Sequence, residues 1–257
     1  MKTTFLSLLL VFFLCANSKL NARAEQVELN LLDGNKIKLR INIYKTEKTP
    51  APTVIVMHGC GGVSSDHHTW ARKIRSWGFN SIVLDSFSGI INGDVCIQPS
   101  LSHPVTRGVQ AYALANWIEN QEWSQKKIGA IGFSHGGSSI LNMSTKELRN
   151  NFPDNKVVSA VAYYPLCKPF FQITLTRQIP LQIHIGELDN WTPANPCKDI
   201  ANLWKLDDSF FIYKDSHHHF DRLNANWTNG NFITKSNPEA RELSMQKTKE
   251  FFEKTLK

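Results

Sequence analysis

Short apolar runs alternate with longer amphipathic stretches along most of this chain, and their lengths and periods predict its elements. Residues 27–32 and 36–44 alternate apolar and polar positions on either side of Asp33-Gly34-Asn35, the pattern of a β-hairpin with one face open to water. Beyond Pro50 and Pro52, residues 53–58 (TVIVMH) form a continuous apolar run, as expected of a strand covered on both faces. Similar runs recur at 81–85, 127–133, 157–164, 181–186 and 210–213. Between them, 70–77, 105–118, 139–148 and 193–206 have helical character. A last helix is expected over 238–255, with Asn237 as its cap and Pro238 at its first position. Strands alternating with helices predict an α/β fold: a mostly parallel central sheet with helices on both faces, preceded by an antiparallel hairpin. No repeat, low-complexity tract or linker divides it, so one domain is expected.

The N-terminus departs from this pattern. Lys2 precedes an apolar stretch over 5–16 that is too short to span a bilayer, and Ala22-Arg23-Ala24 is an A-x-A cleavage site. The segment 1–24 therefore reads as a secretory signal peptide and 25–257 as the single mature domain, periplasmic or secreted. No later stretch is long enough for a membrane anchor. The formal charge of +7 is dispersed, without a Lys/Arg run or recognition motif, which argues against nucleic acid as a partner. Cys15 leaves with the signal segment. Cys60, Cys96, Cys167 and Cys197 remain, an even number in an oxidising compartment, and three pairings are open.

Chemistry concentrates at the segment Gly132-Phe133-Ser134-His135-Gly136-Gly137, a G-x-S-x-G sequence between a predicted strand and a predicted helix. Such an elbow forces the serine into an unusual backbone conformation, and small residues are needed two positions either side of it. A serine hydroxyl is a weak nucleophile that requires a base, an orienting acid and donors for the developing oxyanion. Each has a candidate at the C-terminal end of a predicted strand, the edge where open α/β sheets gather their ligands.

His58-Gly59-Cys60-Gly61-Gly62 follows the strand at 53–58, so the amides of Cys60 and His135 are the candidate oxyanion donors. His58 itself reads as a structural hydrogen-bonding residue. Asp189, just past the strand at 181–186, is the candidate acid, with Glu187 competing, while Asp85 reads as structural. The base comes from His217, His218 or His219; consecutive side chains diverge, so the three make a poor metal site. The chain order Ser, Asp, His is that of α/β-hydrolases. Trp191 and Arg107 are candidate substrate contacts, Arg107 for an anionic group, against ordinary rim-aromatic and solvated-arginine readings. Trp70 and His103 are weaker candidates.

These segments carry a family resemblance. HGCGG at 58–62, LDSF at 84–87, GFSHGG at 132–137, GELDNWTP at 186–193 and YKDSHHHFD at 213–221 together resemble the dienelactone hydrolase family of the α/β-hydrolase superfamily. The resemblance implies an α/β-hydrolase fold and maps the base to His218, two positions before Phe220. It favours pairing Cys167 with Cys197, leaving Cys60 with Cys96. Two departures stand out: Ser134 replaces the cysteine nucleophile of the founding type, and Gly59 stands where that type has an acidic residue. The expectation is an exported serine hydrolase for ester, lactone or thioester bonds, using Ser134, His218 and Asp189, with no metal or organic cofactor and a small-molecule substrate. Acyl transfer would use the same residues. A binding protein holding a metal through His67, His68 and 217–219 is the rival from another class.

Overall fold

The computed structural model of the protein describes residues 22–168 and 176–257. Most of the predicted signal segment lies outside the described residues; Arg23 and Ala24 open the first strand. The hairpin is present as β1 (Arg23–Asn30) and β2 (Lys36–Tyr44), antiparallel and reversed through a turn in which Asp33 accepts from the backbone N–H of Asn35. β3 (Ala51–Met57) is buried along its whole length, as its unbroken apolar run requires. Pro52, which has no N–H to give a ladder, stands within it where the register against its neighbour shifts.

From there strands and helices alternate: α1 (Ser65–Ser76), β4 (Asn80–Asp85), α2 (Pro104–Glu119), β5 (Ser124–Phe133), α3 (His135–Met143), α4 (Lys146–Arg149), β6 (Val157–Tyr163), β7 (Leu181–Gly186), α5 (Ala194–Trp204), β8 (Phe210–Tyr213), and finally α6 (Pro238–Leu256). The eight strands order as β1-β2-β4-β3-β5-β6-β7-β8, with β2 antiparallel to β4 and every later pair parallel. Because β3 lies between β4 and β5, the chain leaves it in one direction and returns on the other side. This switch point opens a crevice at the carboxyl ends of β3 and β5.

Both faces are covered, and β5 shows how. A Cβ at Gly129 would meet Phe252 and Leu256 of α6, whereas one at Gly132 would meet Ile140 of α3. Positions three apart along a strand face opposite ways, so α6 and α3 lie on opposite sides of the sheet. On the α3 side Gly108 of α2 lets the two helices approach, a Cβ there falling 3.2 Å from the Met143 side chain.

Three local expectations are corrected. α1 begins at Ser65 rather than 70, its first turn being polar with Asp66 at the favourable end of the helix dipole. The helix expected over 139–148 starts at His135 and breaks after Met143, where Thr145 caps a separate turn by accepting from the Leu148 N–H. A second hairpin, β9 (Asn226–Asn229) with β10 (Phe232–Lys235), follows β8. Its Asn229-Gly230 reversal is a strong local hairpin signal.

α3 also approaches the end of β3 closely: a Cβ at Gly136 would sit 2.5 Å from the carbonyl oxygens of both Met57 and His58. Gly136→Ala is therefore expected to destabilise by about 1–3 kcal/mol through overpacking. A denaturant titration with an unchanged midpoint would contradict this packing.

Candidate active site

Ser134 sits between β5 and α3 with φ 53° and ψ −115°, a conformation L-residues rarely hold. Its N–H donates to Tyr163 O at 3.0 Å, which locks the elbow to β6. α3 starts at the next residue, so the His135 amide belongs to the first-turn N–H groups that no intrahelical carbonyl accepts. Gly59 packs against the nucleophile, a Cβ there lying 3.5 Å from Ser134 Cβ. Cys60, one residue on, lines the same cavity as Ser134 and His135.

Asp189 and His218 arrive from the two strands beyond. A Cβ at Gly186 would collide with Ser216 O, so β7 can end against the histidine loop only because that position is glycine. Leu188 N donates to Ser216 O at 2.9 Å across the same seam. Asp189 folds back on its own turn: Oδ1 accepts from the N–H groups of Trp191 and Thr192, both at 2.9 Å, and Oδ2 accepts from the Thr192 hydroxyl at 2.9 Å. His218 Nδ1 lies 2.7 Å from Asp189 Oδ2, and its Nε2 lies 3.1 Å from Ser134 Oγ. A carboxylate can only accept, so Nδ1 carries the proton and Nε2 is left as the acceptor facing the serine. All three side chains are buried.

The cavity that Ser134 opens into has a volume of about 600 Å3. Val95, Pro99, Pro104, Val105, Leu166 and Trp191 give it an apolar wall, and no Lys, Arg, Asp or Glu lines it among the described residues. The Cys60–Cys96 disulfide forms part of this wall, and Cys167 is bonded to Cys197. Trp191 stacks on Phe232 of the second hairpin at 5.0 Å and lies 5.1 Å from the His218 ring. His103, the N-cap of α2, also reaches the cavity.

Arg107 does not. It was a candidate contact for an anionic substrate, with a solvated arginine as the alternative, but it is fully buried within α2, bonded to His58 O and to His135 Nδ1. Its position in the second turn of a helix packed on the sheet points it inward. Trp70 belongs to the core, donating to Asp221 Oδ2 at 2.8 Å. Glu187 is turned outward to the Asp215 N–H, while Asp85 caps the N–H groups of Phe87 and Ser88. His58 links two strand ends, its Nδ1 2.6 Å from Gly59 O and its Nε2 accepting from the Ser86 N–H. The other histidines do not converge: His67 accepts from the Ser64 N–H, His68 pairs with the Tyr44 hydroxyl, and no cluster of three or more potential metal ligands occurs among the described residues.

Sequence reasoning missed Thr192 and Tyr164. Thr192 braces the acid and bonds Tyr164 O, and the Tyr164 hydroxyl donates to the buried Asp221 at 2.7 Å. The spacing of Asp189 and Thr192 is that of an Asx-type turn, which was legible. Nothing local marks Tyr164.

The profile of the dienelactone hydrolase family matches residues 39–256. Among solved structures, the chain is similar to a dienelactone hydrolase-like promiscuous phosphotriesterase from metagenomic libraries, at 16% identity over 92% of this chain and 100% of that one, with a TM-score of 0.69. It is also similar to the dienelactone hydrolase of Anabaena variabilis, at 15% identity over 92% and 100%, TM-score 0.65. An esterase of Pyrococcus furiosus aligns at 15% identity over 92% of both chains, TM-score 0.58. Identities this low establish likeness of fold. No curated protein matches the sequence.

Burial favours the neutral form of His58, His67, His135, His184 and His219. Burial and the Arg107 charge pull His135 down to about 4, and burial together with Arg222 pulls His67 to about 3. His58, His184 and His219 are also held well below the ordinary 6.5, chiefly by burial. Between 6.5 and those folded values the unfolded chain takes up protons that the folded one refuses, so their stabilising contribution is complete above pH 6.5 and declines below it. Asp221, raised by burial, acts in the opposite sense but is a single group. Denaturation midpoints should be lower at pH 4.5 than at pH 7; equal midpoints would contradict burial of these rings in neutral form.

Proposed function

Because the chain belongs to the dienelactone hydrolase family and is an esterase-type hydrolase with a small-molecule substrate, we propose that it cleaves neutral carboxylic esters, lactones or thioesters through a Ser134-His218-Asp189 triad. The observation that carries this reading is the continuous relay of 3.1 Å from Ser134 Oγ to His218 Nε2 and 2.7 Å from His218 Nδ1 to Asp189 Oδ2. His218 Nε2 takes the proton as Ser134 Oγ attacks the carbonyl carbon. The amides of Cys60 and His135 hold the tetrahedral oxyanion. His218 then gives its proton to the leaving oxygen or sulfur, and the acyl-enzyme forms. Water, deprotonated by the same ring, releases the acid and restores the serine. Asp189 holds the imidazole in the required tautomer and stabilises its cationic form.

The cavity argues for the substrate's character. A wall dominated by valine, proline, leucine and tryptophan, with no Lys or Arg among the described residues, gives a carboxylate no ammonium or guanidinium to pair with, so the acyl part is apolar and uncharged, of small to moderate size. Removal of residues 1–24 would leave a single exported domain. The two disulfides fit an oxidising compartment, and no helix among the described residues is long and apolar enough to cross a membrane.

Ser134→Ala should lower kcat on a short-chain aryl ester by on the order of 10^4-fold or more and abolish covalent labelling by a fluorophosphonate. Retention of near-wild-type turnover would remove Ser134 as the nucleophile. Across an ester panel, butanoate and hexanoate should be preferred to the succinate half-ester of the same alcohol. A preference for the anionic ester would contradict the reading of the cavity.

A further inference from the structure

Arg107 is the feature that the proposed chemistry leaves without a role. Its side chain is fully buried, and no carboxylate forms an ion pair with it among the described residues. Nη2–H donates to His58 O at 2.7 Å and Nη1–H donates to His135 Nδ1 at 2.8 Å, while the guanidinium carbon lies 4.8 Å from the centre of the Phe87 ring. Its Nε is buried without a hydrogen-bond partner among the described residues. Burying a cation in this way is costly, and an apolar side chain of similar volume would fill the space at less expense. Burial draws its pKa down to about 9, still leaving it charged at neutral pH.

The two acceptors reveal what the cation joins. His58 O is the carbonyl from which the Gly59-Cys60 turn departs, and His135 is the first residue of α3, next to Ser134. These are the two backbone segments that carry the proposed oxyanion donors, and they come from different strands, β3 and β5. Only a rigid donor with two diverging N–H groups can bond both at once, which the planar guanidinium supplies and an ammonium on a flexible stem does not. The bond also fixes the His135 tautomer. With Nδ1 accepting from Arg107, the proton lies on Nε2 and is donated to Ser102 O at 3.0 Å, in the loop that carries Pro99, Ser100 and His103 of the cavity wall. One chain of hydrogen bonds therefore runs from the β3 turn through α2 and α3 to the substrate wall.

We propose that Arg107 is a positioning residue for the oxyanion hole: it sets the separation and direction of the Cys60 and His135 amides by bonding His58 O and His135 Nδ1 together. The proposal rests on the reading of Ser134 as nucleophile and of these amides as donors. Arg107 touches no substrate, so its effect appears where negative charge has developed on the carbonyl oxygen and not in the binding of the neutral ester.

The test compares wild type with Arg107→Met and Arg107→Lys on a short-chain aryl ester, together with inhibition by an aryl trifluoromethyl ketone, whose serine adduct bears the oxyanion. Deleting one oxyanion donor outright costs about 10^2–10^3-fold in kcat, and loosening two should cost less. Arg107→Met is expected to lose about 10–100-fold in kcat and to weaken the ketone Ki by the same factor, with KM within about twofold of wild type. Arg107→Lys should fall between, retaining one of the two bonds. Wild-type kcat and Ki in the folded Met variant would overturn the proposal, as would a change in KM alone or a loss of kcat with Ki unchanged. If Arg107→Met does not fold, Arg107→Lys decides on the same criteria. Fluorophosphonate labelling of wild type at Ser134 separates the two levels: labelling with an indifferent Arg107 overturns only the positioning role, whereas no labelling overturns the nucleophile reading beneath it.

Discussion

The whole of the proposed site depends on how closely the first turn of α3 lies against the end of β3. The contact leaves no room for a Cβ at Gly136, which would press on the Met57 and His58 carbonyls, nor at Gly132, which would press on the carbonyl of Gly136. That closeness turns the chain so sharply at Ser134 that its φ is 53°, a conformation held by the N–H bond to Tyr163 O. It also brings the Gly59-Cys60 turn beside the serine. The proposed nucleophile and the second proposed oxyanion donor, from a different strand, are thus brought together by one packing contact.

Asp189 and His218, the proposed acid and base, are held by a second contact of the same kind, at Gly186 against Ser216. Here the chain uses side-chain polarity where the elbow uses strain. Asp189 satisfies its carboxylate within its own turn through Trp191, Thr192 and the Thr192 hydroxyl, leaving Oδ2 to share with His218. The β9–β10 hairpin closes over the histidine: Lys235 N donates to His218 O, and Phe232 stacks on the Trp191 that borders the ring. An imidazole packed in this way retains little freedom to turn, so its tautomer is set before any substrate arrives.

Much of this was legible in the chain. Apolar run length identified the buried strands, since β3, β5, β6 and β7 are covered on both faces and admit few polar residues, and the glycines at 132 and 136 announced the elbow. The order of Ser134, Asp189 and His218 followed from strand ends alone. Choosing among His217, His218 and His219 did not, because adjacent histidines have the same chemistry and only the direction of a short loop separates them; family resemblance made that choice. Arg107 was misread for a related reason. A helix-start arginine after a loop has the same local pattern whether it faces water or the sheet, and its partners, His58 and His135, are 49 and 28 positions away. Tyr164 depends likewise on a contact distant in sequence, whereas the second hairpin carried a local signal at Asn229-Gly230 that was passed over.

The charges are arranged about Ser134 by depth. Asp189 lies on the far side of His218 from the serine, Arg107 lies behind the segments bearing the two proposed oxyanion amides, and the cavity between them has no charged lining among the described residues. A neutral ester entering this space meets no fixed charge to displace or neutralise. In the proposed reaction, negative charge would develop on the carbonyl oxygen held by the amides that Arg107 backs, and positive charge on the imidazole beside the buried carboxylate. On that reading both formal charges of the site would face the separated charges of the transition state and not the neutral ground state, which is the condition under which fixed electrostatics accelerates a reaction instead of merely tightening binding. An anionic substrate would already carry charge on entry, into a cavity that has kept its one nearby cation out of reach.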